Sequence, residues 1–258
     1  EFGLSQKTPN ELKGTALLHI IRKLEEGGYS LTFNLYNAAN YGAPQKRERL
    51  VIVCSRDRQS VPFLMPTNSD DSKWNLPKWK TLRDALKDMP KEKPECLSFP
   101  ERRLKYYRVL KEGQYWKDLP KDMQVEAMGN KINLGGGKTG FYRRLSWDKP
   151  SPTLVTDPTM PATDLCHPNE DRPLSVQEYK RIQEFPDNWE IFGNIKEQYR
   201  QIGNAVPISL GKAIGKELMG ILSGIEPQTP PKDFPFSRYV NTDKDSFVNQ
   251  MQKKLEKQ

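Results

Sequence analysis

Cysteine, histidine and long apolar segments are all scarce in this sequence. The 258 residues include 3 Cys and no Cys-x-x-Cys spacing, so the sequence implies neither a disulfide framework nor a zinc site. An odd number of thiols without such spacing is typical of a reducing compartment. No apolar run approaches the roughly 18 residues of a membrane span, and the N-terminus lacks a signal-peptide pattern. The 2 His do not suggest a catalytic or metal-binding pair.

Apolar residues are also few for a chain of this size, whereas basic residues are in excess. Hydrophobic residues make up 35% of the chain, and the mean hydropathy is −0.80. This composition permits one large domain or two small ones, with much surface and loop. The net charge of +8 favours a polyanionic partner, with nucleic acid as the leading candidate. Charge alone leaves open a basic protein without such a partner.

The apolar and polar pattern predicts an α/β fold. Periodicity and capping signals indicate helices over residues 8–27, 81–89, 117–128, 174–185, 208–222 and 244–257. Strands are expected over residues 29–36, 50–54 and 153–156, with the second strand buried and Cys54 in the core. Two early strands and one helix cannot form a core alone, so we expect these strands to join another sheet. Prolines then interrupt any long element after about residue 59.

Two polar motifs stand directly before apolar segments, at residues 41–49 and 199–207. Polar groups mounted at the edge of buried structure are typical of a site. Arg47 and Arg49 are two positions apart, and such side chains share one face of a strand. We therefore expect a matched pair of arginines. The alternative is a surface cluster of basic residues that pairs with Glu48.

Four motifs, in order, resemble those of the DNA cytosine-5 methyltransferases. Residues 41–49 resemble the eighth conserved motif of this family, and residues 144–154 resemble the ninth. Residues 172–186 and 200–207 resemble the approach to the tenth motif and the tenth motif itself. The resemblance covers roughly residues 1–224. It implies the terminal strands and helices of an AdoMet-dependent α/β domain, plus a smaller irregular, β-containing target-recognition domain.

The sequence lacks the motifs of the first half of the family. It has no Phe-x-Gly-x-Gly loop for AdoMet, no Pro-Cys-Gln loop with the nucleophile and no Glu-Asn-Val segment. Cys96 follows Pro94-Glu95 in a polar stretch and does not fit, and Cys166 is expected to be structural. The resemblance thus implies the C-terminal portion of the enzyme, inactive alone. A separate subunit or a missing part of the same protein would supply the catalytic cysteine.

The resemblance also implies an assignment of regions. Residues 1–58 correspond to the end of the catalytic domain, and residues 59–190 correspond to the target-recognition domain with the ninth motif. Residues 191–224 correspond to the tenth motif and a helix that returns to the catalytic domain. Residues 225–258 are a C-terminal tail.

By the same resemblance, Arg49 stabilises charge on the cytosine carbonyl O2 during methyl transfer. Arg47 braces the catalytic loop or binds phosphate, and Gln45 lies beside it. The Gly203-Asn204-Ala205 segment closes one side of the AdoMet pocket. The alternative for this segment is an ordinary helix N-terminus that Asn204 caps.

Basic residues interspersed with aromatic residues occupy the region from about residue 59 to 140, which suits contact with double-stranded DNA. The candidate DNA contacts are Arg102, Arg103, Lys105, Lys138, Arg143 and Arg144. The glycines at 135–137 either let the chain pass close to DNA or form a flexible connector.

Two other functions remain open from the sequence. One is a non-catalytic, sequence-specific DNA-binding subunit, and the other is a tRNA cytosine-5 methyltransferase of the same fold. A structural basic protein without a site is a further alternative. A bacterial restriction–modification enzyme would be cytoplasmic and associated with the nucleoid.

Overall fold

The fold is known from a computed structural model, which describes residues 14–56, 61–90, 94–133, 135, 138–226 and 228–256. The strands are β1 (Ser30–Asn37) and β2 (Glu48–Ser55). The helices are α1 (Thr15–Glu26), α2 (Leu82–Ala85), α3 (Glu101–Tyr107), α4 (Lys121–Met128), α5 (Val176–Ile182), α6 (Ile195–Asn204), α7 (Ile208–Leu222) and α8 (Lys244–Leu255). Within the described residues, no helix is both long and apolar enough to cross a membrane.

The chain divides into two compact units. The first unit comprises the described residues up to Asn37, Glu48–Pro66, and those from Ile214 onward. The second unit comprises Ala38–Arg47 and Thr67–Ala213. These units do not coincide with the predicted regions, because residues of the eighth motif and the tenth motif both belong to the second unit. The assignment of these ranges to functional domains stays a prediction.

The first unit is built on an antiparallel pair of strands. Residues of β1 and β2 pair from Ser30 with Ser55 to Asn37 with Glu48, so that Arg49 lies opposite Tyr36. Apolar side chains of α1, β1, β2 and α8 pack into one cluster, which contains Leu17, Ile21, Leu24, Leu31, Phe33, Ile52, Phe247 and Val248. The terminal helix predicted at 244–257 is confirmed as α8, and it packs here rather than forming a detached tail.

Strand β2 is present where the sequence predicts it, but it is not buried. Leu50 is 42% exposed, and Cys54 is exposed. Within the described residues the sheet has only two strands, so β2 has a neighbour on one side only. The prediction that Cys54 lies in the core is therefore wrong. The early part of the predicted helix at 8–27, with its candidate caps Thr8 and Asn10, lies outside the described residues.

The second unit is mostly helical and irregular. One cluster packs α2, α5 and α6 together through Leu82, Leu154, Leu174, Tyr179, Ile182, Tyr199 and Ile202. A second cluster surrounds α3 and α4 and contains Phe99, Tyr106, Tyr107, Leu110, Trp116, Leu119 and Met128. Within its described residues this unit contains isolated bridges, such as Gln45 with Ser151, but no strand. The predicted strand at 153–156 and the β-containing character of this region are therefore not observed.

Helix α5 matches the sequence prediction closely, whereas α6 was not predicted. Ser175 and Glu178 form the expected capping box of α5. Helix α6 begins with the same device, because Asn194 accepts hydrogen bonds from Lys196 and Glu197. It ends at Asn204, with Ala205 as its C-cap. The tenth motif thus lies at the end of a helix rather than at a helix N-terminus capped by Asn204.

Candidate functional site

Arg49 is presented by β2 with most of its hydrogen-bonding capacity unused. The side chain is half-buried, and Nη1 donates to its neighbour's carbonyl, Glu48 O, at 2.8 Å. No carboxylate pairs with Arg49 among the residues that the structure describes, so the proposed surface pairing with Glu48 is not observed. Burial lowers the pKa of the guanidinium, although arginine remains charged in proteins. Arg49 therefore offers a positive, donor-rich group that the described protein does not neutralise.

Arg47 has a different environment, in the second unit. Its side chain is 1% exposed, with Nη1 donating to Leu154 O at 2.8 Å and Nη2 donating to Gly203 O at 2.6 Å. Since β2 begins only at Glu48, strand alternation does not govern Arg47, and the expected matched pair of arginines is not formed. A guanidinium this buried is not available to bind phosphate. It joins the eighth, ninth and tenth motifs through their backbone.

Gln45 continues this buried network. Its side chain is fully buried, with Oε1 accepting from the Leu154 N–H at 3.3 Å and Nε2 donating to Ile182 O at 3.3 Å. Nε2 also donates to Oε1 of Gln183. Together, Gln45 and Arg47 bond both polar groups of the Leu154 backbone. Side chains thus satisfy the backbone N–H and C=O groups of Leu154, as a neighbouring strand would in a sheet.

Sequence reasoning assigned no role to Gln183, although the sequence carries a signal for one. Gln183 lies four residues after the buried Tyr179, on the same helical face. It is fully buried, and a buried amide requires partners. Its Nε2 donates to Ile202 O at 2.7 Å and to Ala205 O at 2.8 Å. An amide on the apolar face of a helix is the signal that could have identified it.

The segment Gly203–Ala205 is packed on one side and open on the other. A Cβ on Gly203 would lie 2.6 Å from Val155 O and 3.0 Å from Thr156 Cα, so only glycine permits this close approach. Asn204 is exposed, and no hydrogen bond of its side chain occurs among the described residues. Its amide donor and acceptor are therefore available to a ligand, and the expected contact with AdoMet stays a prediction.

Three of the candidate DNA contacts lie at an open cleft of the second unit. The cleft has a volume of about 350 Å³ and is lined by Arg102, Arg103, Lys105, Tyr106, Glu126, Lys131, Tyr142 and Pro161. Arg102 is exposed, and no ion pair engages it among the described residues. The ammonium group of Lys105 pairs with Glu126, and both side chains are partly exposed. This combination of cations and two tyrosines suits a phosphate or a nucleotide base.

Arg103 lies behind this cleft in a buried ion pair. Its guanidinium binds the Asp164 carboxylate and donates to Thr159 O at 2.6 Å, and it packs over the rings of Phe99 and Tyr142. Burial raises the pKa of Asp164 to about 6, although hydrogen bonds from Arg103 and other donors act in the opposite direction. The guanidinium is occupied by protein, which does not favour direct contact with DNA.

Arg144 is likewise an internal residue, with 4% exposure. Its guanidinium donates to the carbonyl oxygens of Tyr107, Leu110, His167 and Glu170 and pairs with the Asp171 carboxylate. Arg143 Nε donates to Asp164 O at 3.2 Å, and burial lowers the pKa of Arg143. Lys138 Nζ donates to Ile132 O. The DNA contacts expected of these residues stay predictions, and the placement of Arg144 does not favour one.

Two of the three cysteines, Cys54 and Cys166, show no sign of an activated nucleophile. Cys166 is fully buried, and burial raises the pKa of its thiol to about 12. Cys54 is exposed, but the partial desolvation of its thiol on β2 also raises its pKa. A catalytic cysteine instead needs a depressed pKa, so that the thiolate is present near neutral pH. Within the described residues there is also no group of three or more His, Cys, Asp or Glu side chains placed to hold a metal ion.

Comparison with known proteins identifies the family. Residues 7–220 match C-5 cytosine-specific DNA methylase. The type II methyltransferase M.PspPI of Psychrobacter sp. (strain TA137) is 42% identical over 232 residues, which cover 85% of this chain and 52% of that protein. M.Eco47II of Escherichia coli is 41% identical, covering 84% of this chain and 52% of that protein. M.Sau96I of Staphylococcus aureus is 40% identical, and the match covers 83% of this chain and 49% of that protein.

The chain therefore spans about half the length of these curated relatives. The order of its polar motifs, the buried links between them and the family match agree. The chain belongs to the C-5 cytosine-specific DNA methylase family.

Proposed function

We propose that this chain is the C-terminal portion of a DNA cytosine-5 methyltransferase and methylates DNA only together with a second polypeptide segment. That segment supplies the attacking cysteine and most of the AdoMet pocket. The observation that carries the proposal is the presence of the eighth to tenth motifs without a Pro-Cys-Gln loop. The raised thiol pKa values of Cys54 and Cys166 support it. So does the coverage of only 52% of the relatives M.PspPI and M.Eco47II.

The chemistry assigns a specific task to Arg49. Attack of a thiolate on C6 of a flipped cytosine moves electron density towards the ring carbonyl O2. A fixed guanidinium at O2 stabilises this developing charge, typically by a few kcal/mol. Arg49 suits the task because its planar group donates in fixed directions and no carboxylate neutralises it among the described residues. AdoMet supplies the methyl group, and Asn204 with the backbone of Ala205 would contact it on one side of the pocket.

Apolar surface in the first unit supports the need for a second segment. Leu50 and Cys54 are exposed on β2, which within the described residues pairs only with β1. The part of α7 in this unit exposes Leu218 by 37%, Met219 by 63% and Leu222 by 80%. Exposed apolar side chains of this size are typical of an interface. The occupant we propose is the half of the catalytic domain that carries the cysteine.

Reconstitution tests the proposal. Methyl transfer from AdoMet to duplex DNA is measured with the chain alone and with the polypeptide encoded immediately upstream of it, if one is present, or with the full-length protein. We expect activity only when both halves are present. Duplex DNA containing 5-fluorocytosine should then trap a covalent adduct on the added half. An adduct on Cys54, Cys96 or Cys166 would overturn the assignment.

The same assay separates the alternatives. Tight, sequence-specific DNA binding without any rescue of methyl transfer would indicate a non-catalytic specificity subunit. Methylation of tRNA in preference to duplex DNA would indicate the RNA enzyme of the same fold.

Substitution of Arg49 tests its role in the complete enzyme. Arg49→Ala should lower kcat by roughly 10²-fold or more, as for loss of an oxyanion-hole donor. The matched control is Arg56→Ala, since Arg56 follows the same strand, is exposed, and donates to the hydroxyl of Tyr29. Equal turnover of the Arg49 variant and the wild type would remove Arg49 from the mechanism.

A further inference from the structure

Three chain segments of the second unit meet at a small buried polar network. They are residues 45–47 of the eighth motif, residues 154–156 at the end of the ninth motif, and residues 202–205 of the tenth motif. Within the described residues, Gln183 is the side chain from outside these segments that bonds both the first and the third. It accepts from Gln45 through Oε1 and donates from Nε2 to Ile202 O and Ala205 O.

The chemistry of this position requires an amide. Carbonyl oxygens at the C-terminal end of a helix lack most of their helical partners. Ile202 O accepts from the Ala205 N–H at 3.1 Å and has a second lone pair to fill, and Ala205 is the C-cap of α6. Gln183 provides two N–H donors for these two carbonyls and an acceptor for Gln45, and only an amide offers two donors and an acceptor on one short stem. Glutamate would lose the donors, and methionine would leave all three partners without their bond.

The network also limits where the backbone of the tenth motif can lie. Arg47 binds Gly203 O at 2.6 Å, and Gly203 packs so closely on residues 155–156 that a Cβ would not fit. Gln183 holds the carbonyls on either side, at Ile202 and Ala205. The exposed Asn204 lies between these fixed points. Its position is thus set from both sides by buried hydrogen bonds.

We infer that Gln183 is a positioning residue for the cofactor: it fixes the backbone from which Asn204 and Ala205 contact AdoMet, without touching AdoMet itself. This inference rests on the proposed function for the identity of the ligand, but the positioning of residues 202–205 can be tested separately. Loss of Gln183 should therefore weaken AdoMet binding more than DNA binding or the chemical step.

Hydrogen exchange tests the positioning in the chain itself. Gln183→Met replaces the amide with an apolar side chain of similar length. Amide exchange measured by mass spectrometry should become faster in the peptide covering residues 199–207 and stay unchanged in α8, which lies in the other unit. Gln198→Met is the matched control, because Gln198 is half-buried and its side chain, among the described residues, donates to Gly193 O before α6 and to no residue of the 202–205 segment. Unchanged exchange over 199–207 would overturn the inference.

Ligand binding tests the consequence in the complete enzyme. Gln183→Met should raise the Kd for AdoMet, measured by calorimetry, and the KM for AdoMet by about tenfold. The KM for DNA and kcat should change less than about threefold. If Gln183→Met does not fold, Gln183→Asn, which keeps the amide on a shorter stem, should show the same pattern more weakly. A lower unfolding temperature with unchanged AdoMet affinity would leave Gln183 a purely structural residue and refute the proposal.

The two possible failures are distinguishable. If the wild-type enzyme binds no AdoMet or transfers no methyl group, the proposed function fails, while the exchange experiment still reports on residues 202–205. If the wild type is active and the variant binds AdoMet equally well, the positioning role fails and the proposed function stands.

Discussion

Replacement of Arg47 by methionine should destabilise the second unit without exposing any new surface. The substitution removes two hydrogen bonds from a charged donor, at 2.8 Å to Leu154 O and 2.6 Å to Gly203 O. Such bonds are worth about 1.5–3 kcal/mol each. The substitution also removes the desolvation penalty of the buried guanidinium, which is several kcal/mol, and this offsets part of the loss. We expect a net decrease of about 3 kcal/mol in the free energy of unfolding.

Tryptophan fluorescence during urea unfolding is a suitable assay. All 5 tryptophans of the chain lie between Thr67 and Ala213, within the second unit. A typical urea dependence of about 2 kcal/mol per molar converts the expected loss into a midpoint lower by about 1.5 M. The control is Arg83→Met, because Arg83 is 60% exposed and its ion pair with Asp148 should contribute at most about 1 kcal/mol. Equal midpoints for both variants would refute the role given to Arg47.

Three further outcomes are expected. A thiol reagent should label the exposed Cys54 in the folded chain but should reach the fully buried Cys166 only after unfolding. Mass spectrometry of the labelled peptides measures both rates. Labelling of Cys166 in the folded protein as fast as that of Cys54 would contradict the buried placement. Gly203→Ala, whose Cβ would lie 2.6 Å from Val155 O, should lower the free energy of unfolding by about 2 kcal/mol or more, and a loss below about 0.5 kcal/mol in the same urea assay would contradict the close packing. Arg102→Ala should reduce the slope of log binding constant against log salt for duplex DNA by about 1 with unchanged unfolding, and an unchanged slope would remove Arg102 from the DNA contacts.

Local signals made part of the fold predictable. The capping box of α5 and its buried face were visible in the sequence, as were the two strands of the first unit. Helix α6 carries an equally clear capping box, at Asn194 and Glu197, so its start was also predictable from the sequence. The extent of β2 was predictable from its β-branched residues, but its exposure was not, because burial depends on which neighbours cover a strand.

The sequence nominated the residues of the candidate site, and their roles stay predictions. Arg49 is half-buried, and no carboxylate pairs with it in the described part of the chain, which is compatible with its expected task. Arg47, only two positions earlier, is bound to carbonyl oxygens of residues 154 and 203. Contacts between residues so distant in sequence leave no periodic signal in a single chain. For the same reason the buried environments of Arg103 and Arg144 could not be separated from the exposed one of Arg102.

The links between the three motif segments run through side chains rather than through a continuous sheet. A sheet would tie the segments to a strict strand register, whereas Gln45, Arg47 and Gln183 act at individual points. The intervening helices α3 and α4 contribute none of these links among the described residues. Changes in α3 and α4 that keep the Tyr107 and Leu110 carbonyls bound by Arg144 would therefore leave the junction intact. Under the proposed function, such changes would alter the surface offered to DNA while the three motif segments stay in place.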